Sequence, residues 1–201
     1  MTSPSPRVEA PTTATVPGTS ALPAWSLDPS HSSVEFAVKH LMIATVTGRF
    51  KGLRGTLRVS PDAPGLASVE GSVDAASVDT GDAKRDAHLR GEDFFDVANH
   101  PEITFRSTQV VLEGKEQAVV TGHLTLRGVT RPVAFQVTFD GVATDPWGNQ
   151  RVAFTAEAAL SRKDFGLTWN QALETGGVLV GDKVRLTLRL SAVQQKDAGG
   201  A

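Results

Sequence analysis

From Trp25 onward the chain alternates apolar and polar residues in short runs, the period of a strand with one buried face. Val34, Phe36 and Val38 share one face, with Glu35 and Lys39 on the other. Leu57 and Val59 follow the turn-forming Gly52 and Gly55. Further rows are Ala67, Val69, Gly71 and Val73; Ile103 and Phe105; and Val120, Gly122, Leu124 and Leu126. The cleanest is Val133, Phe135, Val137 and Phe139, answered by Val152, Phe154, Ala156 and Ala158 and closed by Val184, Leu186, Leu188 and Leu190. With a strand at Val46 to Phe50, the pattern predicts eight or nine strands. Most connections are short and rich in Gly, Pro and Asp, such as Asp145-Pro146-Trp147-Gly148-Asn149, which implies antiparallel pairing of sequential strands.

One interval breaks this rhythm. Asp82 to Arg90 reads as a short helix, with Thr80 as N-cap, Asp86 and Arg90 paired four residues apart on its surface, and Gly91 as its stop. It carries little apolar surface beyond Leu89 and alanines, so its flanks must pin it, through Phe94 and Phe95. Periodicity alone fits a sandwich or a closed barrel. Gly71 and Gly122 on apolar faces tip the balance, because inward glycines let a sheet curl or leave room inside it. The fold class is therefore all-β: an antiparallel barrel of about eight strands enclosing a cavity, with one helix near residues 82–90.

Composition narrows the function. With 40% hydrophobic and 21% charged residues among 201, the chain has the balance of one globular domain. A net charge of −2, with three Trp and no Tyr, argues against a nucleic-acid surface. Absence of cysteine excludes disulfides, thiolate metal sites and thiol nucleophiles. Apolar runs fall well short of the ~20 residues that cross a bilayer as a helix, so no stable membrane insertion is expected. Met1 to Ala24 is a Pro/Ser/Thr/Ala-rich segment without the apolar centre of a secretory signal. It reads as a disordered tail (1–24) before a folded domain (25–193) and a second short tail (194–201), and places the protein in the cytoplasm.

Several segments, in order, resemble the YceI-like family. They include Asp28-Pro29-Ser30-His31-Ser32 before Val34-Glu35-Phe36, Val38-Lys39-His40, Gly48-Arg49-Phe50 and Asp86-Ala87-His88-Leu89. Phe94-Phe95-Asp96-Val97, Ile103-Thr104-Phe105-Arg106-Ser107 and Gly122-His123-Leu124-Thr125 follow. Gly128-Val129-Thr130-Arg131-Pro132-Val133 and Arg162-Lys163-Asp164-Phe165-Gly166 complete the set, which spans Trp25 to Val193. The resemblance implies an extended lipocalin-like barrel whose pore holds a polyprenyl phosphate or an isoprenoid quinone, a lipid-binding protein rather than an enzyme, with no cofactor. It also makes a periplasmic or secreted location the alternative to the cytoplasm.

On this reading Phe36, Val38, Phe105, Phe135, Val137 and Phe154 line the pore. Arg85 and His88, three apart on the helix, and Lys39 and His40, at the end of the first long strand, are candidates for the ligand's head group, beside the helix flank Phe94 and Phe95. Plainer alternatives are a dry packed core for the six pore residues, a solvated charge for Arg85, a hydrogen bond pinning the helix for His88, a turn contact for His31 and an exposed position for His123. A rival reading converges His31, His40, His88 and His100 on a metal, though their spacing matches no zinc pattern. Another makes the protein an interaction module, and open strand edges leave a homodimer possible. Asp164-Phe165-Gly166 resembles the kinase magnesium motif but lacks its companion loops, and reads as a turn at a strand end.

Overall fold

The alternating rows form ten antiparallel strands in the computed structural model, which describes residues 22–60, 63–172 and 177–195. These are β1 (Ala24–Leu27), β2 (Ser33–His40), β3 (Ala44–Phe50), β4 (Arg54–Ser60), β5 (Ala63–Asp74), β6 (Glu102–Leu112), β7 (Gln117–Leu126), β8 (Val129–Thr144), β9 (Gln150–Ser161) and β10 (Val180–Gln194). Most of each expected tail, residues 1–21 and 196–201, lies outside the described residues, as do the side chains of residues 63–67.

Strands β4 to β10 pair each with the next, and β1 pairs with both β4 and β10, closing the sheet into a ring. β1 and β2 lie end to end along one edge of β10, against Ala192–Gln194 and Val180–Arg189. β3 and β4 lie end to end against them in turn. The ring is thus an eight-staved barrel, two of whose staves are broken. The first break, at Asp28–Ser32, contains Pro29, which has no N–H to give the ladder, and is tied off by the Asp28 carboxylate, which accepts from the Ser30 N–H and lies 2.8 Å from His31 Nδ1. The second, at Lys51–Leu53, turns on Gly52 in the left-handed region (φ 69°).

Two irregularities re-aim the rows. Register shifts between Ser107 and Gln109 in β6, and between Phe139 and Gly141 in β8, each insert a residue. In β6 the inward face passes from Ile103, Phe105 and Ser107 to Val110 and Leu112, a change of phase that strict alternation misses.

The room left by two inward glycines, Gly122 and Gly55, is occupied. A Cβ on Gly122 would stand 2.5 Å from the Phe105 ring, so that ring fills the room the glycine leaves. Gly55 and Gly71 are paired across β4 and β5, and Leu27 Cδ1 lies 2.9 Å from where a Gly55 Cβ would be. Gly55 and Gly122 thus admit neighbouring side chains and close strand approach, whereas Gly71 borders the cavity.

The helix α1 (Ala83–Arg90) falls where expected, but its local bonding differs. Asp82, not Thr80, is the N-cap, accepting from the N–H groups of Lys84 and Arg85 at 3.0 Å each. Thr80 is engaged elsewhere: its N–H and hydroxyl both donate to Asp86 Oδ1, at 2.9 and 2.5 Å. Asp86 is therefore buried rather than paired with Arg90, and Arg90 donates to the carbonyls of Ala76 and Val78. Phe94 and Phe95 are buried beneath the helix, as its poor apolar face requires.

The segment from Ala75 to Pro101 covers one end of the barrel, together with the β7–β8 turn and residues 162–172 after β9. Arg127, in the left-handed region beside Gly128, makes the two-residue hairpin turn that joins β7 to β8. Its guanidinium donates to Gly166 O (2.8 Å) and Glu92 O (2.6 Å), fastening both covers. Asp164-Phe165-Gly166 lies in a 3-10 turn at the end of β9, which Gly166 terminates at φ 76°.

Candidate functional site

Inside the barrel runs an apolar cavity of about 300 Å³. Phe36, Val38, Phe105, Phe135, Val137 and Phe154 all stand on its wall, contributed by β2, β6, β8 and β9. Their rings are locked by one another. Phe105 meets Phe135 edge-on with centroids 5.2 Å apart, Phe154 leans on Phe139 at 5.5 Å, and Phe36 and Phe95 both contact Phe50. Phe94, Phe95 and Leu89 extend this wall under the covered end.

The cavity runs from Leu160 and Val180 at the covered end to the exposed β6–β7 turn, where Lys115, Glu116 and Gln117 border it. The charged residues on its wall are those at the turn and Arg162. Arg162 is 3% exposed and fully committed. Its Nε donates to Gly181 O (3.0 Å), Nη1 to the carbonyls of Leu167 (2.6 Å) and Trp169 (2.8 Å), and Nη2 reaches Val180 O and Asp182 Oδ1, each at 3.4 Å. Burial pushes its pKa below the ordinary arginine value, and Asp182 opposes that. Those contacts account for all five guanidinium donors, so Arg162 holds the β9–β10 connection and has none left for a ligand. Apolar side chains line most of the bore, and Lys115, Glu116 and Gln117 border its end at the β6–β7 turn.

The head-group candidates lie elsewhere. Arg85 donates to Thr80 Oγ1 (2.7 Å) and Thr80 O (3.0 Å), bracing the entry to α1. His88 Nε2 lies 2.9 Å from Asp93, and its ring stands edge-on to Phe94 (5.0 Å) and Trp169 (4.8 Å). Lys39 is exposed on the outer face of β2, and His40 ends that strand. None of these four borders the cavity, whereas the flanking Phe94 and Phe95 do. The histidines do not converge: His31 contacts Asp28, His100 faces Asp96 at 3.9 Å, and no group of three potential metal ligands occurs among the described residues. His123 is exposed.

Three features escaped sequence reasoning. Val110 and Leu112 were hidden by the β6 bulge, and the Lys115–Gln117 border by its likeness to any polar turn. Arg162 did have a signal: it continues the inward row of Ala156, Ala158 and Leu160 by two residues.

Comparison with known proteins agrees with this geometry. The YceI-like domain matches residues 25–192. Protein YceI of Salmonella newport is 38% identical over 166 residues, which cover 83% of each chain. Burkholderia cenocepacia BcnA superposes with a TM-score of 0.72 at 25% identity, covering 82% of this chain and 98% of its own. A polyisoprenoid binding domain from Saccharophagus degradans, implicated in plant cell wall breakdown, shares the fold with a TM-score of 0.66 at 18% identity, covering 87% and 99%.

Proposed function

We propose that this chain, which belongs to the YceI-like family, holds an isoprenoid lipid in the bore of its barrel and acts as a carrier or store rather than as a catalyst. The observation that carries the reading is the bore itself: a largely carbon-walled cavity running through the barrel, with Lys115, Glu116 and Gln117 at one end of it. The polyisoprenoid binding domain of Saccharophagus degradans, alike in fold, supports the choice of ligand class.

Energetics locate the selectivity. Shielding one isoprene unit from water is worth about 3–4 kcal/mol at roughly 0.8 kcal/mol per methylene-sized group. A membrane shields the same unit equally well, so the tail supplies little net preference for protein over bilayer. Discrimination then falls to the shape of the bore, set by the Phe36, Phe105, Phe135 and Phe154 rings, and to the head group. Placed at the β6–β7 turn, a polyprenyl phosphate would meet the Lys115 ammonium and a quinone carbonyl the Gln117 amide.

Organic extraction of the purified protein, with mass spectrometry of the extract beside native mass spectrometry of the intact chain, tests the reading. One isoprenoid per chain is expected, its head group identifying phosphate or quinone. An unloaded mass after incubation with both polyprenyl phosphates and quinones would overturn it.

A further inference from the structure

The β2–β3 turn carries Leu41, Met42 and Ile43, three consecutive bulky apolar residues that are 38%, 58% and 81% exposed. A tight turn on a protein surface ordinarily takes Gly, Asn or Asp, which tolerate a left-handed backbone. Here Leu41 (φ 51°) and Met42 (φ 61°) adopt that backbone themselves, a conformation costly for large side chains. The turn is also fixed in place, since the Leu41 N–H donates to Leu179 O (2.8 Å) and the Ile43 N–H to His40 O (3.2 Å). Sequence and backbone together hold three apolar side chains out in water.

Directly beneath this tip the outer sheet face is cationic. Lys39 points outward next to Gly181, whose Cβ position lies 3.2 Å from Lys39 Cβ, and Lys183 and Arg185 follow on the same face of β10. Their outward neighbours across the ladders are Ala37, Thr45, Thr47, Ala159 and Ser161, all uncharged. The nearby Asp182 carboxylate is taken by Arg162 and Lys163, and among the described residues Lys39, Lys183 and Arg185 form no ion pair. An apolar wedge on a basic collar complements a bilayer whose headgroups are anionic: the wedge enters the acyl boundary while the collar meets phosphates.

We propose that the β2–β3 turn is a docking tip that seats this protein reversibly on an anionic lipid surface. The contact is peripheral, involves the turn and collar rather than the bore, and does not depend on what the bore holds.

Flotation of the full chain with vesicles tests this, comparing phosphatidylcholine alone with phosphatidylcholine containing about one-third phosphatidylglycerol. Wild type is expected to float with the anionic vesicles, and less so as salt rises. Ile43→Asp, at an exposed position that leaves the barrel intact, is expected to lower partitioning by roughly tenfold or more, having lost an apolar anchor and gained a like charge. Lys39→Glu with Lys183→Glu is expected to lower it by a similar factor on anionic vesicles alone, given about fivefold per basic residue. Native mass spectrometry of Ile43→Asp, reading the bore's content unchanged, separates this idea from the carrier reading. Wild type that ignores both vesicles, or Ile43→Asp that floats like wild type, overturns the proposal. A dimer in sedimentation velocity that Ile43→Asp dissociates, with no vesicle binding, overturns it in favour of a second copy on the tip.

Discussion

Arg151 and Asp28 are 123 residues apart in the chain and 2.7 Å apart in space. Through Nη1 the arginine holds the break between β1 and β2, and through Nε it holds Asp145 in the β8–β9 turn at 3.0 Å. One guanidinium on β9 thus joins two irregular segments that no ladder fixes.

Acid should undo this joint. Bonds from Arg151 foremost, then from His31 and the Ser30 N–H, outweigh burial and hold the Asp28 pKa at about 2. For Asp145 burial pulls upward, but bonds from Asn149, Arg151 and the Trp147 N–H hold it too at about 2. Both lie below the ordinary value of 3.8, so the folded state binds these protons less readily than the unfolded one. Their stabilisation is complete above about pH 4 and disappears as pH falls through about 2. Thermal melts across that window should show a falling midpoint. Arg151→Ala should melt lower at neutral pH and fall less steeply in acid; a variant with the wild-type acid slope would mean the pair is not coupled to folding.

Gly122 is a packing requirement. A methyl group there would stand 2.4 Å from the Arg106 carbonyl oxygen and 2.5 Å from the Phe105 ring. The ring can rotate, but the carbonyl belongs to the β6 backbone and cannot yield cheaply. Gly122→Ala should cost about 1–3 kcal/mol, the range for overpacking a dense core. Urea unfolding followed by tryptophan fluorescence measures it, and a loss within error of zero would show that β6 and β7 can separate locally.

These residues also mark how far the sequence is legible. Rows such as Val133 to Phe139 announce their strands because burial on one side of a sheet enforces period two, and all six expected pore residues face the cavity for that reason. What the pattern omits is where the ladder slips. Thr108 looks like an ordinary strand residue, yet the bulge it makes decides that Val110 and Leu112 point inward, and Asp140 likewise hides a slip in β8. The candidate head-group residues illustrate a different limit. Arg85 and His88 share a helix side, as their spacing required, but tertiary bonds to Thr80 and Asp93 engage both. Spacing fixes which residues are neighbours on an element, whereas the partner each finds depends on the packing of elements distant in sequence.

Arg162 allows that distinction to be tested. Its removal takes the guanidinium donors from the carbonyls of Leu167, Trp169 and Gly181 in a buried site, while Val180 O keeps the Asn170 amide at 2.7 Å. Arg162→Met keeps the stem and drops the guanidinium, and should destabilise the fold by on the order of 3 kcal/mol. Arg162→Lys should recover only part of this, since three donors on a tetrahedral head cannot reproduce a planar set of five. Denaturant midpoints for both variants check the ranking, and an Arg162→Lys protein as stable as wild type would mean the charge matters more than the fork.

Bulk added inside the bore and bulk added outside it should have different effects. Val137 on β8 faces the cavity, whereas Val111 on β6 is exposed on the outer side of the same barrel. Tryptophan at position 137 would extend into a space of about 300 Å³ already edged by Phe105 and Phe135, leaving too little of it for a chain. Val137→Trp should therefore fold with a melting point within a few degrees of wild type while the isoprenoid content proposed for the bore falls by roughly tenfold or more, an occupied bore having no apolar substitute nearby. Val111→Trp adds the same bulk outside and should leave the content unchanged. Quantitative extraction of the two variants, purified side by side, measures both. If Val137→Trp stays fully loaded, the ligand sits outside the bore; if both variants lose it, general destabilisation rather than blockage is the cause.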